Sequence, residues 1–119
     1  MKNRDLIIYR IVTGLMSALA ILGASMYFFN NELARGMFEN LNFPTYIIYP
    51  LGIAKLLGVV AIWINKSRSL TEWAYAGFVF NSLLAISAHL NINDGEHIGA
   101  VVALILAVTS YIYNKKVYA

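Results

Sequence analysis

One lysine stands at the centre of an otherwise apolar run. Lys55 falls within Tyr46–Ile64, nine residues from either end, which is about 13 Å from each end at a helical rise of ~1.5 Å per residue. If this run crosses a bilayer, the side chain extends only about half that distance and cannot easily snorkel to an interface. An ionised group at that depth costs about 2.5–3.5 kcal/mol. Lys55 must therefore face the interior of a helix bundle, or be uncharged there. Gly52 and Gly58, about one turn to each side, thin the same helix around it. An ionisable group inside a membrane is a functional candidate by default. It can anchor an anion, a polar head group or another subunit's carboxylate, or it can be a structural donor to its neighbours. The side chain best matched in depth is Asn81, nine residues from each end of its own run, Glu72–Leu90, and Ser17 in the first run lies at similar depth. No carboxylate does.

A second group of polar residues follows the third run. His89 ends it, and Asn91, Asn93, Asp94, Glu96 and His97 come next. Two histidines with two carboxylates invite a metal reading, but their spacing fits no recognised zinc pattern, and a solvated turn is the stronger expectation. Ser82 and His89 share a helix face but stand about 10 Å apart along it, too far for a nucleophile and its base. No catalytic constellation, phosphate loop or haem-ligand pair is expected. The ligand-binding candidates are Lys55, Asn81, Ser17 and His89.

These residues need elements to carry them, and the composition says what kind. Of 119 residues, 60% are hydrophobic and 13% charged, against roughly 45–50% and about 25% in soluble chains. A water-soluble fold of this size would lack the polar residues to cover its surface. A bilayer core about 30 Å thick takes roughly 20 apolar residues as a helix, and four such runs are present, at about 6–29, 46–64, 72–90 and 98–113. The expected fold is all-α. It is one membrane domain over residues 1–119, a four-helix antiparallel bundle, because short connections force neighbours to run antiparallel. The first run, at about 24 residues, exceeds the 7–15 of a signal-peptide core and has no small-x-small site after it, so it is expected to stay as a helix.

Orientation follows from the basic residues. Lys2, Arg4 and Arg10, Lys66 and Arg68, and Lys115 and Lys116 all fall on one side of such a bundle, while Arg35 stands alone on the other. The bias predicts both termini in the cytoplasm. Tyr46, Tyr49, Trp63, Trp73, Tyr111 and Tyr113 sit near run ends, as interfacial aromatics do. The net charge of +3 is thus a topology signal, and its scatter between apolar runs argues against nucleic-acid binding. There is no cysteine, which excludes disulfides, thiolate metal sites and thiol relays.

Small residues recur where helices would meet: Thr13, Ser17, Ala20 and Ala24 in the first run, Ala74, Gly77, Asn81, Ala85 and Ala88 in the third, and Gly99, Ala103, Ala107 and Ser110 in the fourth. They read as seams within one bundle, with self-association as the other use. Between the first two runs, Leu33, Met37, Phe38 and Leu41 recur at helical spacing among charged residues, predicting a short amphipathic segment on the outer surface that Pro44 terminates.

Phe43-Pro44-Thr45-Tyr46 followed by Leu51-Gly52-Ile53-Ala54-Lys55-Leu56-Leu57-Gly58 resembles the second helix of the DoxX-like membrane proteins. Glu72-Trp73-Ala74-Tyr75-Ala76-Gly77-Phe78, with Ser87-Ala88-His89-Leu90 and Asp94-Gly95, is similar to the third helix and outer turn of that family. The likeness covers about Leu6 to Lys116. It implies a small four-helix protein of the bacterial inner membrane. The role it implies is a non-enzymatic subunit or accessory component of a membrane complex, associated with the lipid bilayer and with further copies or other membrane proteins. The alternative is a membrane subunit of quinone-linked electron transfer, with quinone in a polar midplane pocket around Lys55 and Asn81. No family active site transfers onto these positions.

Overall fold

The computed structural model describes residues 3–93, 95 and 97–118; Lys2, Asp94 and Glu96, used above for charge bias and the outer turn, lie outside them. Helix α1 spans Asn3–Phe29 and α2 Asn31–Asn40; a 3-10 turn at Thr45–Ile47 leads into α3, Ile48–Ile64; α4 covers Arg68–Ile92 and α5 His97–Tyr118. Among the described residues, four stretches are long and apolar enough to cross a membrane: Asn3–Phe29, Thr45–Ile64, Arg68–Ile92 and His97–Tyr118. The all-α four-helix bundle is therefore present, and its 46 Å long axis matches the ~40–45 Å of a bilayer with its head groups.

The helices are longer than their apolar cores. α1 begins before Leu6, α4 starts at Arg68 instead of about 72, and α5 continues to Tyr118 instead of about 113. Hydropathy marks where lipid begins, whereas a helix ends where its backbone is capped. Ser67 caps α4, its Oγ accepting from the Leu70 amide at 3.4 Å. Asparagines close three helices in the left-handed conformation, Asn42 after α2, Asn65 after α3 and Asn93 after α4, since asparagine tolerates it better than most residues. At the end of α2 the Phe43 amide reaches back to the Phe38 carbonyl (2.8 Å) and Asn42 to Glu39 (3.1 Å), a Schellman closure. Pro50 sits in the first turn of α3, where its missing amide proton has no intrahelical partner to lose.

Each long helix packs on the next in the chain, and α5 closes the ring against α1. The start of α1, the start of α4 and the end of α5 meet at one end of the bundle: the Tyr9 and Tyr118 rings stand 5.6 Å apart, and Arg68 Nη1 donates to Asn114 Oδ1 at 2.7 Å. At the other end α2 lies across α1 and α3. It buries Ala34 and Phe38, leaving Leu33 and Met37 exposed. The expected apolar face is thus rotated, because Phe38 turns inward against Tyr27 (5.5 Å) and Phe43 (6.0 Å).

Polarity is inverted relative to a soluble bundle. Thr13, Ser17, Thr71, Ser82, Ser110 and Asn114 are buried, while Ile7, Ile11, Leu15, Leu22, Phe80 and Ile105 point outward. Water would make this arrangement costly, whereas lipid favours it on both counts. The α1 seam is as the spacing predicts, with Thr13, Ser17, Ala20 and Ala24 all buried. α4 differs: it buries Thr71, Tyr75, Ser82 and Ala88, and Gly77 is exposed. Its small-residue stripe divides: Ala88 is buried and Ala74 lies against Gly58 of α3, whereas Gly77 borders a groove between α3 and α4.

Candidate functional site

Two polar regions divide the interior. Near the terminal end, α1, α4 and α5 are tied by hydroxyls and amides. Ser110 Oγ is 2.6 Å from both Thr13 Oγ1 and the Tyr75 hydroxyl, and Asn114 Nδ2 donates to the Tyr9 hydroxyl at 3.1 Å. Asn114 Oδ1 accepts from Arg68, whose Nε pairs with Glu72 Oε1 at 3.1 Å. Trp63 Nε1 donates to Ser17 Oγ at 2.7 Å, so this hydroxyl, depth-matched to Lys55 in the sequence, is engaged by α3's indole. Apart from the Arg68–Glu72 pair within α4, these bonds run between neighbouring helices and act as cross-braces.

The second region surrounds Lys55 and differs in kind. Side chains tilt toward the N-terminus of their helix, which for α3 is the end nearest α2, so Lys55 leans that way and toward α1. Its Nζ reaches the Tyr27 hydroxyl at 3.4 Å and stands 4.9 Å from the centre of the Tyr27 ring. The α1 backbone admits the ammonium because Gly23 is there: a Cβ at that position would sit 3.2 Å from Nζ. Gly58 accommodates the edge of the Phe78 ring from α4, which lies 3.0 Å from where its Cβ would be.

Three cavities converge on Lys55 and Asn81. One of about 90 Å³ enters the bundle core past Met16 and Ser82. One of about 250 Å³ lies between α3 and α4, bordered by Ala54, Gly58, Trp73 and Gly77. The third, of about 220 Å³, runs beneath α2 past Tyr27 and Phe38 to His89. Asn81, on α4, therefore faces the same space as Lys55, although no hydrogen bond joins the two among the described residues. His89 borders the α2 cavity at the far end. Of the sequence candidates, Lys55, Asn81 and His89 all line the cavity beneath α2, and Ser17 sits apart in the bracing region. Tyr27 is the member that sequence reading missed. The available signal was Gly23 and Tyr27 four residues apart on one face of α1, a gap with a polar ring above it.

Among the described residues no group of three histidine, cysteine or acidic side chains gathers to hold a metal ion. What the site does offer is an ammonium, an amide and a phenol in apolar surroundings, a set suited to gripping the acceptor atoms of a largely apolar molecule.

Four helices that are apolar outside and polar inside define a multi-pass integral membrane protein. The chain matches the DoxX-like family over residues 11–111 and belongs to that family, as the Lys55 and Trp73–Gly77 segments led us to expect. Neither the curated proteins nor the solved structures give a match.

Proposed function

We propose that this protein is a non-enzymatic component of a bacterial inner-membrane complex, with both termini in the cytoplasm, and that it contributes a midplane pocket holding a lipophilic molecule with hydrogen-bond acceptors. The observation that carries the reading is that Lys55 and Asn81 line three adjoining cavities, with the Tyr27 hydroxyl beside the lysine. The bracing polar groups satisfy one another, whereas among the described residues Lys55 has a 3.4 Å bond and a ring face for its ammonium. The small-residue seams and the small share of chain outside the spans support the accessory role, and the basic residues Arg4, Arg10, Lys66, Arg68, Lys115 and Lys116 toward the terminal end support the orientation.

A quinone is one ligand of this description, since its carbonyls accept from an ammonium or an amide, and this favours a place in quinone-linked electron transfer as the second reading. Decylubiquinone binding to the protein in neutral detergent tests it. Lys55→Met should weaken binding about tenfold or more, as expected for loss of a charge-assisted hydrogen bond of ~1.5–3 kcal/mol. Equal binding by both proteins would remove Lys55 from the site. For the accessory role, purification in mild detergent should recover a second membrane protein or further copies; a monomer with no companion would contradict it.

A further inference from the structure

The charge around Lys55 narrows the chemistry of the ligand. The described acidic side chains are Asp5, Glu32, Glu39 and Glu72. The one ion pair among described residues is Arg68–Glu72, near the terminal end. Among the described residues, Tyr27, Trp73, Asn81 and Ser82 are the polar side chains on the three cavities around the lysine apart from His89 at the far rim; each is neutral, and so cannot balance a cation at a depth where charge is expensive. An apolar molecule ending in an anion would supply the missing charge.

The groove between α3 and α4 gives such a molecule a way in. Ala54 and Gly77, both exposed, lie along it, so its wall is low on the lipid side. At about 250 Å³ it is somewhat smaller than the ~300–1,000 Å³ of pockets that enclose a whole ligand. It fits a head group and the first part of a chain, with the remainder lying in the bilayer. Trp73, on the same groove, is 75% exposed and stands where a chain would pass.

We propose that the junction of Lys55 and Asn81 binds a single-chain lipophilic carboxylate, which enters sideways from the bilayer between α3 and α4, its carboxylate pairing with the Lys55 ammonium and its chain lying along Ala54, Gly77 and Trp73. This rests on the pocket reading above and specifies the charge of its ligand. No bond is made or broken; the event is binding alone.

Trp73 supplies the readout. The full-length protein in neutral-lipid nanodiscs is titrated with 9,10-dibromostearate, whose bromines quench indole fluorescence at close range, and with its methyl ester, at a pH where the acid is ionised. The acid should quench Trp73 at a concentration about tenfold or more below the ester, the ratio expected for one charge-assisted contact; a Trp73→Phe control identifies that part of the signal. Lys55→Met should bring acid and ester together, and Lys55→Arg should keep them apart. Ala54→Phe, which obstructs the groove without touching the lysine, should weaken the acid about fivefold or more while circular dichroism stays unchanged; it serves if Lys55→Met fails to fold. Equal quenching by acid and ester in the native protein, or an acid preference that survives both Lys55→Met and Ala54→Phe, would overturn the proposal. If decylubiquinone binds in a Lys55-dependent way and dibromostearate does not, the anion is wrong and the pocket stands. If neither binds, both readings fall.

Discussion

Lys55 and Tyr27 interact in two ways that substitution can separate. The 3.4 Å bond to the phenol is long, and hydrogen bonds within membranes average about 0.6 kcal/mol, so Tyr27→Phe should cost less than about 1 kcal/mol while keeping the ring under the ammonium. Tyr27→Leu removes the ring as well and should cost about 1–2 kcal/mol more, the value of a desolvated cation–π contact. Denaturation by an anionic detergent in mixed micelles measures both; a Tyr27→Leu variant as stable as Tyr27→Phe would show that the ring contributes nothing. Gly23 makes the complementary case. A leucine there would occupy the position of Nζ, 3.2 Å from the first added carbon, and push the lysine out of the junction. We expect Gly23→Leu to reduce decylubiquinone binding as far as Lys55→Met does, with helix content unchanged. Native affinity in that variant would mean the ammonium is not held where the ligand needs it.

Among the elements, α1, α4 and α5 share hydroxyl bonds as well as small-residue contact. Ser110 is the hinge of this arrangement, fully buried and bonded at 2.6 Å to two other helices. Ser110→Ala should destabilise the bundle by about 1–2 kcal/mol, starting from two membrane hydrogen bonds at ~0.6 kcal/mol each. Thr109→Ala, one position away and half-buried, is the matched control and should cost less than half as much. Equal losses would mean that packing, and not hydrogen bonding, joins these helices. α2 has a different status: one face packs against α1 and α3, and its remaining apolar residues are left for the lipid surface, so it roofs the cavity that reaches His89.

For the molecule as a whole, orientation is open to direct measurement. The chain has no cysteine, so a single introduced one reports its own side. Lys66→Cys and Lys116→Cys should resist a membrane-impermeant maleimide in intact cells and react after permeabilisation, while Glu39→Cys should react at once. The reverse pattern would invert the assignment and leave the bundle itself untouched.

Periodicity and hydropathy are properties of the chain alone, and they carried a great deal. Four runs of the right length, basic residues gathered on one side and a lysine at mid-run were enough to specify a four-helix membrane bundle with a polar feature at its centre, because the cost of exposing a backbone or a charge to lipid depends on depth and hardly at all on neighbours. Azimuth was beyond that logic. Which face of α4 turns inward, that Ser17 meets Trp63, and that Lys55 leans on Tyr27 across the gap at Gly23 all depend on how the helices rotate against one another. Tertiary packing sets that rotation through side-chain volume and hydrogen bonds between residues far apart in the chain. Depth could be read along one dimension; partnership needed three.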